Sequence, residues 1–445
     1  MVSVSTCQNH SFDLNLKNIT NNITPLNIID QTLTTSTTSH EDHTLKKGNA
    51  ASYEVDDVIY GKVTIDSACA VEIIHLPEFQ RLKDVLQHGI TALIGLLPSP
   101  HVNRFDHSVG AMILVKNVGG SEEAQLAALL RQSIPSLFPN LAGLTSCHPP
   151  PPTGLFLSDD VSHTALSHVI DSVFGYVVHE VEKDIFLAKT QIPTVLIKHG
   201  FDPSRVFREE LFPLLELPSP EICADRLDYA LRDSVSFGYL ELKEAQEIYR
   251  STISVDGKMV LNSLRAAKLL GHAYLTSDQK VWADGTQSYL YKLAAEAIKL
   301  CLKEGTISKE SLWTNGDGAF WKLLVENASV QVKRIVEQIN SRCRLIETGE
   351  AAPVAGRYGE ASAGPTAAWE QEGRPQYCTL KLRVRTVDPP VKTPSGIQPL
   401  STLDLDFHRR YSEYIRSRQQ PVSFVVKYSP LPDQSFAPSS HQGLE

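Results

Sequence analysis

Three separated stretches carry side chains whose types and spacing suit metal or phosphate chemistry. The first, "GLFLSDDVSHTALSHVID" (Gly154 to Asp171), holds three acids and two histidines. If the chain is helical from Asp160 onward, Asp160, His163, Ser167 and Asp171 fall at i, i+3, i+7 and i+11 on one face. His168 then sits beside that face, three residues before Asp171 and within reach of its carboxylate. A solvent-facing helix usually carries Lys, Glu and Arg, whereas short polar groups on an otherwise apolar helix suit a face turned to a cavity. A solvated or core-satisfied histidine cluster is the alternative. The second stretch, "NRFDHSVG", puts His107 near the start of an apolar helix with Arg104 one turn before it. The third, "ADRLDYALRDS", brings Asp225, Asp228, Tyr229, Arg232 and Asp233 into an apolar context. There Asp225, Tyr229 and Asp233 follow i, i+4, i+8: an acid, a phenol and an acid on one face. A surface ion-pair ladder is the competing reading, but Leu227, Ala230 and Leu231 leave little room for a broad wet side.

Helices must position these residues. "DSACAVEIIHLPEFQRLKDVLQ" has apolar residues at helical spacing, bent or broken near Pro77. "NRFDHSVGAMILVKNV" opens on capping residue types and continues as a buried helix. "SEEAQLAALL" carries acids in its first turn, where the helix dipole favours them. Helical patterns dominate from Asp160 to Gln338. One hairpin interrupts them, "TISVDGKMVL", with Asp256-Gly257 as its turn. "VIYGKVTI" alternates as an earlier strand or hairpin. "CTLKLRVRTVD" and "VSFVVKY" read as strands flanking a helix near "LDFHRRYSEYIRSR". The expected architecture is mainly α, with short β-hairpins and a small α+β C-terminal region. Residues 1–50 read as a polar, disordered tail and 51–340 as the main domain. Residues 347–377 read as an Ala/Gly/Pro/Glu-rich flexible loop, 378–430 as the C-terminal region and 431–445 as a tail.

The apolar and charged fractions, 42% and 21%, are those of an ordinary globular protein, and 445 residues can bury one large core or two smaller ones. No run approaches the roughly 18 apolar residues a membrane span needs, and the N-terminus lacks a secretory pattern. A net charge of -9 argues against a broad grip on nucleic acid. The seven cysteines lie far apart without a CxxC, which fits reduced thiols in the nucleus or cytoplasm. The sequons at Asn18 and Asn22 read as chance matches in a Ser/Thr/Asn-rich tail.

In their order along the chain these motifs resemble the HD-domain phosphohydrolases, in particular the deoxynucleoside triphosphate triphosphohydrolase (dGTPase-like) branch. "VIYGKVTI" with "IIHLPEFQRLKDVLQHG" is similar to the family's entry segment, and "NRFDHSVG" to its first metal-histidine motif. "DVSHTALSHVID" is similar to the second half of the HD motif, and "DRLDYALRD" to the last metal-ligand helix. The resemblance runs from Val58 to Val260, with weaker echoes at "LWTNGDGAFWKLL" and "RVRTVDPPV". It implies His107, Asp160 and Asp225 as metal ligands, with Asp159 in the place of a fourth. An N/O ligand set of this kind suits Fe, Mn, Zn or Mg. It implies His163, His168, Asp171 and His179 as the proton-handling and orienting group. Arg104 and Arg226 match phosphate-contacting positions, Tyr229 and Asp233 those meeting the sugar, and Gln87 a pocket-lining glutamine. The implied reaction is metal-assisted attack of water on the α-phosphorus of a deoxynucleotide, releasing nucleoside and triphosphate. The implied assembly is a homo-oligomer.

The chain departs from the family at the HD motif. Where the pattern is "LLHDVSH", this sequence has "ALLRQSIPSLFPNLAGLTSCHPPPPTGLFLSDDVSH", and Asp159 stands in the histidine's place. Six prolines and no charged residue lie between Arg131 and Asp159. Residues 131–158 read as an unspliced intron. Excision from a GT within a CGT codon for Arg131 to an AG completed by the G of a GAT codon for Asp159 leaves CAT, histidine. The protein would then read "AALLHDVSHTALSHVID". The alternative is a genuine insertion in which Asp159 ligates the metal itself. Sequencing the transcript across codons 125–165 decides between them.

Two further readings compete with a hydrolase. A non-catalytic nucleotide-binding or regulatory protein follows if the missing histidine abolishes activity. A nucleic-acid-binding protein has little support, since the nearest basic stretch, "RRYSEYIRSRQQ", reads as a solvated helix.

Overall fold

The alternation in "YEVDDVIYGKVTI" closes an antiparallel hairpin in which β1 (Tyr53–Asp57) pairs with β2 (Gly61–Ile65). The structure, a computed structural model, describes residues 52–130, 163–176, 178, 187–348 and 376–428. The N-terminal tail, the 131–158 segment, most of the 347–377 loop and the C-terminal tail fall outside these residues. The described part is mainly α with short strands.

Local sequence explains the helix starts. Asn103 accepts from the Asp106 amide to open helix Arg104–Asn117, Ser263 opens Leu264–Ser277, and Asp284 opens Gly285–Glu304. Helix Leu242–Ser251 starts on a reciprocal Glu241/Glu244 capping box. Helix Arg104–Asn117 is buried from Arg104 through Val115 except at Asp106, as expected of an apolar central helix. Helix Ala224–Ser236 is also buried, yet it carries Asp225, Arg226, Asp228, Arg232 and Asp233. Charges enclosed in this way persist only if paired or ligated, so their partners reveal the site.

Two apolar cores result. One gathers the β1–β2 hairpin, helices Ala68–Ile74, Arg104–Asn117, Glu122–Leu130, Ala224–Ser236 and Leu264–Ser277, and the C-terminal Leu400 and Phe407. The other gathers residues Ala165 to Ile170, helix Gly285–Glu304 and residues from Leu312 to Ile339. It also takes in the inner face of a three-stranded sheet. The candidate stretches lie along the seam: Phe105 and Tyr229 belong to the first core, Leu166 and Ile90 to the second.

The strands form small sheets. β3 (Thr252–Val255) and β4 (Lys258–Leu261) turn at Asp256 and Gly257, whose φ values of 50° and 74° are both positive, as a tight primed turn requires. β7 (Pro390–Thr393) pairs parallel to β4 through Leu261 and Val391, and antiparallel to β8 (Gly396–Pro399). β5 (Cys343–Glu347) and β6 (Gln376–Leu380) flank β9 (Val422–Tyr428), both antiparallel. The C-terminal strands thus pair with strands laid down earlier in the chain. Helix Leu405–Ser417 forms where expected.

Two expectations are corrected. The strand expected over Cys378–Asp388 ends at Leu380, because amides beyond it find other acceptors. The Arg385 amide donates to Asp278 Oδ2 at 2.8 Å and that of Asp388 to the Pro220 carbonyl at 2.9 Å. The helix expected from Asp160 begins instead at Ser167 and runs to Phe174. His163 therefore lies in irregular backbone ahead of it, and Leu166 adopts φ 51°. Among the described residues no helix is long and apolar enough to cross a membrane.

Candidate active site

His107 and Asp225 meet at the crossing of their two helices. The His107 Nε2 and Asp225 Oδ1 atoms lie 3.2 Å apart, with both residues almost wholly buried. The other ring nitrogen, Nδ1, is 2.7 Å from Asp228 Oδ2. A carboxylate can only accept, so Nδ1 carries a proton and donates it there. Asp228 is itself held by two further donors: Tyr60 Oη donates to Oδ1 at 2.6 Å, and Arg232 Nε to Oδ2 at 2.8 Å. Arg232 in turn donates to Asp57 Oδ2 at 2.7 Å, while Asp57 Oδ1 accepts the amides of Ile59 and Tyr60. Burial pushes the Asp228 carboxyl up, but Arg232 and His107 outweigh it and hold the group below the usual carboxylate range. The imidazole is thereby held in one orientation, with its Nδ1 protonated.

The Nδ1 proton bears on metal binding. Nε2 also faces a carboxylate and by the same rule donates to Asp225 Oδ1; a cation between the two atoms would displace that proton and take up the Nε2 lone pair. Two ligand atoms each ~2.1 Å from a metal and at right angles lie about 3.0 Å apart. The observed 3.2 Å fits such a pair, and a carboxylate on the far nitrogen is the usual support for a ligating histidine. No group of three or more His, Cys, Asp or Glu side chains placed to hold a metal occurs among the described residues. Asp159 and Asp160, which would complete the set, fall outside them.

Farther along helix Ala224–Ser236, Tyr229 and Asp233 face an aromatic wall. Tyr229 Oη and Tyr274 Oη are 2.5 Å apart, and Trp282 lies edge-on to both rings, with centroids at 5.3 and 4.9 Å. Trp282 ends a π-helical turn, Asp278–Trp282, a local departure often found beside functional sites. Its Nε1 donates to Asp233 Oδ2 at 2.8 Å, and His88 Nε2 donates to the same oxygen at 3.1 Å. Asp233 Oδ1 is buried and has no hydrogen-bond donor among the described residues. Gln87 is buried beside His88, and its amide donates to the Val102 carbonyl at 2.9 Å. The 85–88 segment is thus pinned to the start of the His107 helix.

A third group stands at the seam. Arg104 and His163 are fully buried, and Arg104 Nη2 donates to His168 Nε2 at 3.1 Å. Since arginine only donates, this His168 nitrogen is unprotonated. The His163 and His168 rings are 6.4 Å apart, and Arg81 Nη2 donates to the His163 carbonyl at 2.7 Å. Asp171 lies on the His168 helix as expected, but its Oδ1 accepts the Val178 amide at 3.0 Å. Arg226 is buried, and its guanidinium donates to the Glu221 and Leu217 carbonyls and to Glu216. His179 falls outside the described residues.

Spacing alone did not single out Asp228 as the support of His107, nor did it find Tyr60, His88 or Trp282. For Asp228 the signal was present: it lies three residues after Asp225 within the same apolar helix. His88 and Trp282 have no local signal, because only the packing of distant helices brings them to Asp233.

No family model matches the chain. It is similar to the metal-dependent phosphohydrolase cns2 of Cordyceps militaris. The two are 33% identical over 389 residues, 84% of this chain and 95% of that protein. It is 32% identical over 298 residues to the uncharacterized protein YdhJ of Bacillus subtilis, 66% of this chain and 82% of that protein. Among solved structures, a phosphohydrolase from Bacteroides thetaiotaomicron superposes with a TM-score of 0.59 at 15% identity, covering 85% of this chain and all of that one (100%). A hypothetical protein from Aquifex aeolicus does so with a TM-score of 0.57, also at 15% identity, covering 85% of this chain and 96% of that one. At such identity the structural likeness speaks for the fold alone.

Proposed function

The chain belongs to the HD-type metal-dependent phosphohydrolases, and on that premise we propose that it hydrolyses deoxynucleoside triphosphates to the deoxynucleoside and inorganic triphosphate. The carrying observation is that one buried helix, Ala224–Ser236, presents Asp225 to His107 and, two turns on, a carboxylate oxygen of Asp233 with no donor among the described residues. A buried acceptor left open beside a phosphate-cleaving pair suits a substrate hydroxyl, and a sugar supplies one.

His107 and Asp225, with Asp159 or Asp160, would hold the divalent ion (Fe, Mn, Zn or Mg), whose contribution when bound is Lewis acidity at the phosphate. The protein's own groups do the rest. Asp228 keeps the His107 proton on Nδ1, away from the ligand side. Arg104 donates to His168, and its guanidinium is of the type that would turn to a phosphate oxygen. That turn returns the Nε2 lone pair of His168 to proton transfer, a role that suits an imidazole near neutral pH. Trp282 and His88 fix Asp233 by its Oδ2, leaving Oδ1 directed to the sugar. Incubating the purified chain with Mn²⁺, Fe²⁺, Zn²⁺ or Mg²⁺ and each dNTP should release triphosphate. Release of monophosphate or free phosphate instead would assign a nucleotidase or phosphodiesterase.

Asp159 in place of the motif's histidine favours a second reading, a nucleotide-binding regulatory protein with impaired turnover. Asp159→His combined with deletion of residues 131–158 should then raise activity sharply over the full sequence. The five cysteines among the described residues, Cys69, Cys223, Cys301, Cys343 and Cys378, form no disulfide with one another, which suits the nucleus or cytoplasm. Resemblance further suggests a homo-oligomer, and the net charge of -9 argues against nucleic acid as a partner.

A further inference from the structure

We propose that Asp317 is a positioning residue for this hydrolase: its carboxylate clamps the loop bearing His163, where it leads into the helix of His168, to the segment bearing Gln87 and His88. The proposal rests on the reading above that these residues serve phosphate-ester hydrolysis. Asp317 is the first residue of helix Asp317–Glu326 and is fully buried. Its two oxygens go to amides remote in sequence. Oδ1 accepts from Leu166 at 2.8 Å and Oδ2 from Leu86 at 3.0 Å. Leu86 immediately precedes Gln87 and His88, and Leu166 immediately precedes the helix of Ser167, His168 and Asp171.

Three observations argue for more than ordinary packing. Leu166 sits at φ 51°, a region that costs a leucine energy and persists only where surrounding contacts over-determine it. Those contacts are Asp317, the Leu312 carbonyl accepting the Ala165 amide at 2.8 Å, and Arg81 donating to the His163 carbonyl at 2.7 Å. Gly316 allows the approach, since a Cβ there would overlap the Asp84 backbone and side chain. The clamp also crosses the seam, because Leu166 belongs to the second core while Leu86 leads into the His107 helix through the Leu86–Asn103 bridge.

The charged and titratable groups around Asp317 are Arg81, Arg104 and Tyr291, with Asp84 against Gly316, His163 and His168 on one clamped segment and His88 on the other. Burial pushes the carboxyl up to about 6, against the pull of the Leu166 and Leu86 amides and then of Arg104 and Arg81. A protonated carboxyl has one fewer acceptor for two amides, so the clamp weakens as pH falls through that value. Asp317→Asn reproduces this loss at every pH while keeping the shape.

The test compares the full chain with Asp317→Asn, using amide hydrogen exchange over residues 85–90 and 163–170 and turnover of dGTP with Mn²⁺. Expected are exchange about tenfold faster in both segments and kcat lower by about tenfold or more, with KM and Mn²⁺ affinity within about threefold. Protection in the wild type, corrected for intrinsic rates, should fall below pH 6, and in the variant it should not depend on pH. Asp278→Asn, which alters another buried acid, should leave exchange in the two segments unchanged. Wild-type exchange in Asp317→Asn, loosened segments with undiminished kcat, or equal loosening by Asp278→Asn would each overturn the proposal. A wild type inactive on every dNTP overturns only the nucleotide reading. The clamp is then decided by exchange and by turnover of bis(4-nitrophenyl) phosphate.

Discussion

Asp228 receives Tyr60, Arg232 and His107 at once and has no exposure to solvent. Asparagine at this position turns an amide nitrogen toward at least one of those donors, and His107 loses the acceptor that holds its proton on Nδ1. Asp228→Asn should therefore weaken Mn²⁺ binding by roughly 10–100-fold, the usual cost of losing an outer-shell carboxylate. It should also lower stability by roughly 3–5 kcal/mol, as when one partner of a buried ion pair is removed. Calorimetric Mn²⁺ titration checks the first figure, and unchanged affinity would refute the role given to Asp228. At this scale much was legible beforehand. His107, Asp225, Tyr229 and Asp233 stood out because polar groups at helical spacing in an apolar run need partners. Asp228 belonged to the same run, yet spacing cannot say which of two acids three residues apart meets Nε2 of His107 and which meets Nδ1.

The helices that carry these groups approach closely at one point, Gly110, one turn after His107. A Cβ added there would overlap Asp228 Oδ1 and the Arg232 guanidinium, neither of which can move without breaking the network beneath His107. Gly110→Ala should thus cost about 1–3 kcal/mol through overpacking, and it should loosen metal binding although alanine favours the helix itself. Denaturant unfolding with and without Mn²⁺ separates the two effects, and a variant as stable as wild type would contradict the packing described. Caps and periodicity made the helices readable: Asn103 marks a start where the expected pattern begins. The start at Ser167 was not readable, because the amides that shape residues 165–166 go to Leu312 and Asp317, the latter 151 positions from Leu166. The strand that stops at Leu380 fails for the same reason, its later amides being claimed by Asp278 and Pro220.

The molecule as a whole is tied across its length by buried acids, and this has a consequence for pH. Asp278, fully buried, accepts the Arg385 amide at 2.8 Å and the Tyr414 hydroxyl at 2.9 Å, joining the π-helical turn of Trp282 to the C-terminal segment. Burial pushes its carboxyl up to about 6, with Arg385 the largest opposing influence. In the unfolded chain the same group titrates near ~3.9. Between about pH 4 and 6 the folded state therefore holds a proton that the unfolded state has released, so stability falls as pH rises through this window and levels off above it. A displacement of about 2 units corresponds to roughly 3 kcal/mol. Asp228, held low, acts in the opposite sense, as do His101 and His272, which burial lowers. The net curve thus mixes these contributions, and the informative quantity is a difference. Asp278→Asn cannot take up the proton, so the unfolding free energy of wild type minus variant should shift toward the wild type by roughly 2 kcal/mol between pH 7.5 and 4.5. Guanidinium titrations of both chains across that range measure it. Parallel curves would mean that Asp278 ionises in the folded protein as it does in the unfolded chain, and that the C-terminal segment is not held by a buried, proton-sensitive acid.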